Sequence, residues 1–296
     1  MRSINRRECL GLIAGAAARN CLAAGGARKP VVAAHAWVYA APLPGYDFTP
    51  VLPQIFADLS YAGVEALELM ERALRHPDAV DRIGELSTKY KLPIMGTSYD
   101  GGPMWDRQKH ASLFDDAALV VERAGKLGGR TLGISVGDAG RRKTEAELDA
   151  QADCLRKLRT VAQQHGLVLN LHNHIYEVRD GEYDLKGTLA RIPDVKLGPD
   201  LDWLTGAGVN PADFIRRHGS RIVYMHLRDR KADGVWSEAL GEGIIDYHAV
   251  RKALAEVKFQ GDVAIELAHP TGFQLTRPLR ESWKISREYV RKVLGF

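Results

Sequence analysis

From residue 31 to residue 269 the chain alternates between two textures, short strand-like runs and longer amphipathic stretches. The runs cover 31–39, 64–70, 93–99, 131–137, 167–174, 195–202, 222–229 and 263–269. Helical periodicity occupies 77–90, 108–127, 144–165 and 246–257, and a last helix covers 278–294. The clearest begins at Thr144, which forms a capping box with Glu147, and it stops at Gly166. Eight strands alternating with helices predict an α/β fold, the (β/α)8 TIM barrel. No linker-like stretch divides residues 30–296, which read as a single domain. An open doubly wound sheet would carry a glycine-rich phosphate turn after an early strand, and none is present.

A barrel strand turns one face to the helices and the other to the barrel interior. The helix face must be apolar, so the inward face follows by subtraction. In 167–174, Leu167, Leu169 and Leu171 face helices, leaving Val168, Asn170, His172 and His174 inside. In 222–228 the inward set is Ile222, Tyr224, His226 and Arg228. Glu68 points in from 64–70, Asp200 and Asp202 from 195–202, and Glu266 from 263–267. The 131–137 run places Thr131, Gly133, Ser135 and Gly137 inside, which leaves room. The polar positions fall towards the C-terminal strand ends, where barrel enzymes keep their sites.

Buried carboxylates and imidazoles are costly unless they are paired or hold a metal. Each alone has an ordinary role: a satisfied core histidine, or an acid paired with Arg228 or Lys196. Asp200, His226 and Glu266 on three successive strands point together to one divalent ion, Mn2+, Co2+, Zn2+ or Mg2+. His35 and His269 also lie at strand ends, where ring stacking or a loop hydrogen bond accounts for either. Trp37 and Trp203 fall near the expected mouth and are candidate sugar-stacking platforms, with core packing the plainer role.

The first 29 residues read differently from the rest. A basic opening with paired Arg6 and Arg7 precedes a run of Ala, Gly and Leu that ends in small residues before Pro30. This layout resembles a twin-arginine export leader and predicts a periplasmic or exported protein, with a cytoplasmic extension as the alternative. Cys21 follows Arg19 and Asn20 rather than small apolar residues, which argues against a lipid anchor. The leader also accounts for the basic pI of 8.9. Of the 41 basic and 37 acidic side chains, residues 1–29 hold six and one, leaving 35 and 36, a net charge of −1. That is no nucleic-acid footprint. A mean hydropathy of −0.22 and the lack of a long apolar run argue against a membrane span. Cys154 is the one cysteine beyond the leader, so neither an internal disulfide nor a cysteine zinc site is available there.

Five stretches resemble the xylose-isomerase-like TIM-barrel superfamily, the sugar phosphate isomerase/epimerase family. They are LHNHIYEV (171–178), DLDWLTGAGVNP (200–211), HLRDRKADG (226–234), LGEGIIDY (240–247) and AIELAHP (264–270). The resemblance implies a mononuclear divalent-metal site using Asp200, His226, Glu266 and a ligand from strand five. Many relatives place glutamate where this chain has His172, which leaves the fourth ligand open among His172, His174 and Glu177. Trp203 stands where histidine is frequent, and Arg228 where lysine is.

Such a site suits proton abstraction beside a carbonyl, with His174 or Glu68 as base and Glu266 at the reacting centre. Return of the proton gives a sugar isomerase or epimerase, and loss of a neighbouring group gives a lyase or dehydratase. Arg228 and Glu242 would orient substrate hydroxyls. An exported enzyme would meet a non-phosphorylated keto-sugar or oxidised glycoside, since phosphosugars are made where ATP is present. A metal-free sugar-binding paralogue is the rival from another class, and homo-oligomerisation is left open. An apurinic endonuclease would need further early-strand histidines and a basic surface.

Overall fold

The computed structural model of the protein describes residues 28–270 and 272–296. The export-leader expectation, with Arg6, Arg7, Cys9 and Cys21, falls on residues 1–27, outside the described ones. Eight parallel strands follow in chain order: β1 (Val32–His35), β2 (Ala66–Met70), β3 (Ile94–Asp100), β4 (Thr131–Ser135), β5 (Val168–Leu171), β6 (Lys196–Leu197), β7 (His226–Leu227) and β8 (Val263–Glu266). Their order in the sheet is β6-β5-β4-β3-β2-β1-β8-β7. The two ends meet through parallel bridges, Leu197 to Ile222 and Asp200 to His226, and His226 N donates to the Pro199 carbonyl at 2.9 Å. The sheet thus curls round on itself, with the helices outside, as the alternation predicts.

The helices begin and end close to where periodicity places them: Ala79–Tyr90, His110–Lys126, Glu145–Gln164, Tyr247–Glu256 and Leu279–Tyr289. Both bonds of the capping box at Thr144 and Glu147 are formed. Further helices at Leu52–Ala62, Ile175–Arg191 and Pro211–His218 complete the outer layer. Leu67, Leu69, Leu132, Ile134, Leu169 and Leu197 are buried against this layer, each contributing roughly 1.5–3 kcal/mol. Inside the barrel, alanines 33, 66 and 264 on β1, β2 and β8 form a small apolar layer around Tyr224 and Met95.

Three strands differ most from expectation, and of the 222–229 run only His226–Leu227 pairs as a strand. The 31–39 run stops pairing at His35, and Trp37–Ala40 is a short helix. The 195–202 run breaks at Gly198-Pro199, and Asp200 instead caps a helix at Leu201–Gly206, its Oδ1 accepting from Asp202 N at 2.8 Å and Trp203 N at 3.0 Å. Asp202 therefore leaves the inward face assigned to it. Its carboxylate grips Arg230 at 2.6 and 2.7 Å and accepts from Trp236 Nε1 at 2.9 Å. Gly198 is required at the break, since a Cβ there would stand 1.9 Å from Asn170 Oδ1.

Candidate active site

The C-terminal strand ends open into a cavity of about 310 Å3. Of the residues singled out from sequence, it brings together Trp37, His172, His174, Trp203, His226, Arg228 and Glu266. Ser98, Gly133 and Ser135 on the small-residue strands give it space, as expected of β4. Asp200 lies buried at its edge, paired to His226 across the seam of the barrel.

Donor atoms of His172, Asp200 and His226 lie within 4.8 Å of one another. His226 Nδ1 and Glu266 Oε2 form an ion-pair contact at 2.6 Å, while among the described residues His172 Nδ1 and Asp200 Oδ2 have no hydrogen-bond partner. Buried polar atoms left without partners are expensive. Two imidazole nitrogens and two carboxylate oxygens make a donor set suited to a divalent first-row ion. The residues present thus fit the expected metal. Of the fourth-ligand candidates, His172 belongs to this cluster. Glu177 turns away: its Oε2 accepts from His174 N at 2.7 Å, tying down the helix that starts at Ile175.

Arg228 occupies a slot between two indoles, its guanidinium carbon 5.3 Å from the ring centres of both Trp203 and Trp236. It pairs with Glu266 and lies 3.4 Å from Asp200 Oδ2, while its Nε has no partner. Across the mouth, Trp37 and Tyr46 form a second aromatic pair, with ring centres 5.1 Å apart. Trp236, Tyr46 and the buried Glu71 line the cavity without having been singled out from sequence. All three sit outside the strands, where inward and outward positions do not alternate. The signal available for Trp236 was a lone aromatic following the charged run 228–233.

Two expectations change, those for Glu242 and Glu68. Glu242 is exposed and faces Arg277 at 2.6 Å rather than the cavity. Its loop is held by Asp229, which accepts from the backbone N–H of Gly241, Gly243 and Ile245 at 3.0–3.1 Å. Gly243 lets the backbone close on that carboxylate, since a Cβ would stand 2.1 Å from Asp229 Oδ1. Glu68, expected as a candidate base, is fully buried beneath the site, where its Oε2 accepts from His226 Nε2 at 2.8 Å and Tyr224 OH at 3.0 Å. His269 stacks on Phe273 at 4.9 Å, outside the cavity lining, whereas His35 lines the cavity and pairs with Ser98 Oγ at 2.9 Å.

Burial and neighbouring charges compete in the titration of the site. Burial prevails at His172 and His174. It drives His172 well below the ordinary imidazole range, with His226 and His174 adding to the shift. Burial, then the Arg228 charge, lowers His174 to about 4. Around His226 burial acts downward, but Glu68 and Glu266 outweigh it and raise the ring to about 10. Burial works against ionisation of Glu266, yet Arg228, His35 and His226 hold it well below the carboxylate range. Asp200 is raised by burial, against the pull of Arg228. The site can thus present neutral and charged groups side by side.

A family model described as Xylose isomerase-like TIM barrel matches residues 55–293. The chain belongs to that family. Among curated proteins it is 26% identical over 172 residues to an inosose dehydratase of Clostridium beijerinckii, covering 51% of this chain and 56% of that one. It is 24% identical over 179 residues to an inosose dehydratase of Geobacillus kaustophilus, covering 52% and 55%. The chain thus spans about half the length of the curated relatives it matches. Among solved structures, a D-allulose 3-epimerase of Methylomonas sp. superposes with a TM-score of 0.71 at 14% identity, covering 90% of this chain and 98% of that one. A 3-keto-D-glucoside 4-epimerase of E. coli superposes with a TM-score of 0.67 at 16% identity, covering 89% and 100%. These structural likenesses establish the shared fold.

Proposed function

We propose that this protein is a metal-dependent sugar isomerase or epimerase that removes a proton beside the carbonyl of a non-phosphorylated keto-sugar. The observation that carries the reading is the convergence of donor atoms of His172, Asp200 and His226 within 4.8 Å of one another, with Glu266 paired to His226 at 2.6 Å beside them. These four residues would hold the ion. When bound, a divalent ion supplies positive charge against the negative charge that develops on the substrate carbonyl oxygen.

The chain's own groups do the rest. His174 lines the cavity with Nδ1 unpartnered, and its ring is held against Tyr176 at 5.3 Å and Trp203 at 5.5 Å. It is the base positioned to accept the carbon-bound proton and return it. Arg228 lines the cavity and is the cation placed to face a substrate oxygen. The Trp203/Trp236 and Trp37/Tyr46 pairs offer apolar faces to a sugar ring. Of the two arginines lining the cavity, Arg228 is engaged by Glu266 and Asp200, while the half-exposed Arg72 has its Nε 3.5 Å from Glu71.

Elimination is the second reading. Both curated relatives described above are inosose dehydratases, and His172 replaces the glutamate that a two-carboxylate epimerase shuttle would use. Metal content of the purified full chain tests both readings, beside Asp200→Ala and His226→Ala. The expected result is about one divalent ion per chain, lost in both variants, together with deuterium uptake from D2O into a keto-sugar. Uptake into recovered isomer marks isomerisation, and loss of water marks elimination. A wild type that holds no ion after reconstitution and exchanges no proton would refute the enzyme reading and leave a sugar-binding paralogue.

A further inference from the structure

We infer that Glu68 is a positioning residue that selects which nitrogen of His226 faces the cavity, an inference that rests on the metal-dependent reading above. Glu68 stands on β2 and His226 on β7, and in the sheet those strands are separated by β1 and β8. The carboxylate therefore crosses the barrel interior to reach the ring. Alanines 33, 66 and 264 make that crossing possible, since larger side chains on β1, β2 and β8 would fill the space that Tyr224 and Glu68 share.

One oxygen, Glu68 Oε2, does the selecting. It accepts from His226 Nε2 at 2.8 Å and from Tyr224 OH at 3.0 Å. A ring nitrogen that donates to a buried carboxylate keeps its proton, so the opposite nitrogen is the one left to ligate an ion. That opposite nitrogen is Nδ1, which sits 2.6 Å from Glu266 Oε2 beside the donor cluster. The Tyr224 hydroxyl, two residues before His226 in the chain, donates to the same oxygen and holds the Glu68 carboxylate in place. Glu68 has no exposed surface and stands outside the cavity lining, so it acts through His226 rather than on the substrate.

The test compares the full chain, Glu68→Gln and Tyr224→Phe, using Zn2+ alone as a diamagnetic probe. Calorimetric titration is expected to show Zn2+ binding roughly 10- to 100-fold weaker in Glu68→Gln, with a smaller loss in Tyr224→Phe. In the Zn2+-loaded wild type, 15N spectra of histidine-labelled protein should show the His226 ring protonated at Nε2. A purely structural role for Glu68 would not set that tautomer. Wild-type affinity in Glu68→Gln, or a ring protonated at Nδ1 in the loaded wild type, would overturn the inference while leaving the metal site standing. The tautomer is read on wild type, so the test survives a variant that fails to fold. A wild type that binds none of Mn2+, Co2+, Zn2+ or Mg2+ would instead remove the functional reading, and this inference with it.

Discussion

Asp229→Asn should cost far more than its near-identical shape implies. The Asp229 side chain is 3% exposed and accepts four backbone N–H groups. Oδ2 takes Gly241 and Gly243 at 3.0 Å each, while Oδ1 takes Arg230 at 3.0 Å and Ile245 at 3.1 Å. An asparagine keeps one acceptor oxygen and turns an NH2 towards the other pair, so in either orientation two donors lose their partner. Each buried donor left unpaired costs about 1–3 kcal/mol. Gly241 is exposed and recovers part of this from water, which places the expected loss at about 2–4 kcal/mol. Urea denaturation of wild type and variant measures the total, and amide hydrogen exchange at 241, 243 and 245 locates it. Asp233→Asn is the control: Asp233 is exposed and, among the described residues, accepts only from Val235 N at 3.0 Å, so its loss should stay within about 0.5 kcal/mol. If Asp229→Asn matched that control and left loop protection unchanged, the claim that this carboxylate shapes the 240–247 loop would be wrong.

Gly198→Ala should destabilise the barrel by about 1–3 kcal/mol, because the new methyl would meet Asn170 Oδ1 at 1.9 Å and must push β5 and β6 apart. Thermal unfolding reads the loss, and pairing with Asn170→Ala should recover much of it. At the helix from Glu145, Thr144→Ala removes the side-chain cap on Glu147 N and should cost about 1 kcal/mol in chemical denaturation. Glu147→Gln tests the other half of that box by its pH dependence. The Arg141 contact and the Thr144 N–H hold the Glu147 carboxyl at about 2, below its ordinary 4.5. Its contribution is therefore full above pH 4.5 and fades as pH falls towards 2, so wild type and variant should converge in acid.

The strands that read most easily are those whose two faces differ. In β5 the leucines at 169 and 171 face helices while Asn170 and His172 point in, because a period of two has only one way to bury leucine. The same logic placed Glu68, His226 and Glu266 inside. It could not tell a residue that faces the cavity from one that lies beneath it, and so Glu68 read as a base. Depth along the barrel axis depends on register between strands, which no single strand encodes. Asp202 was misplaced for another reason: the alternation was carried through Gly198-Pro199, where the chain turns into a helix and the period changes. Trp236 lies on a loop and Glu71 opens a four-residue helix at Glu71–Leu74, too short for a period to show, so only the folded chain brings them to the mouth. The loop glycines were legible as a motif, but their physical reason, Asp229 closing on the backbone, needed the structure.

The seam between β6 and β7 has a consequence for mechanics. Every other neighbouring pair of strands is joined by a ladder, broken only by one register shift between β2 and β3, whereas these two touch through single bridges, one of them between Asp200 and His226. The same two residues supply donor atoms to the cluster at the mouth. The cluster is therefore a clasp on the weakest joint of a hoop. A force that draws its donor atoms together also tightens the hoop, and a thermal fluctuation that parts the seam pulls those atoms out of reach of one another.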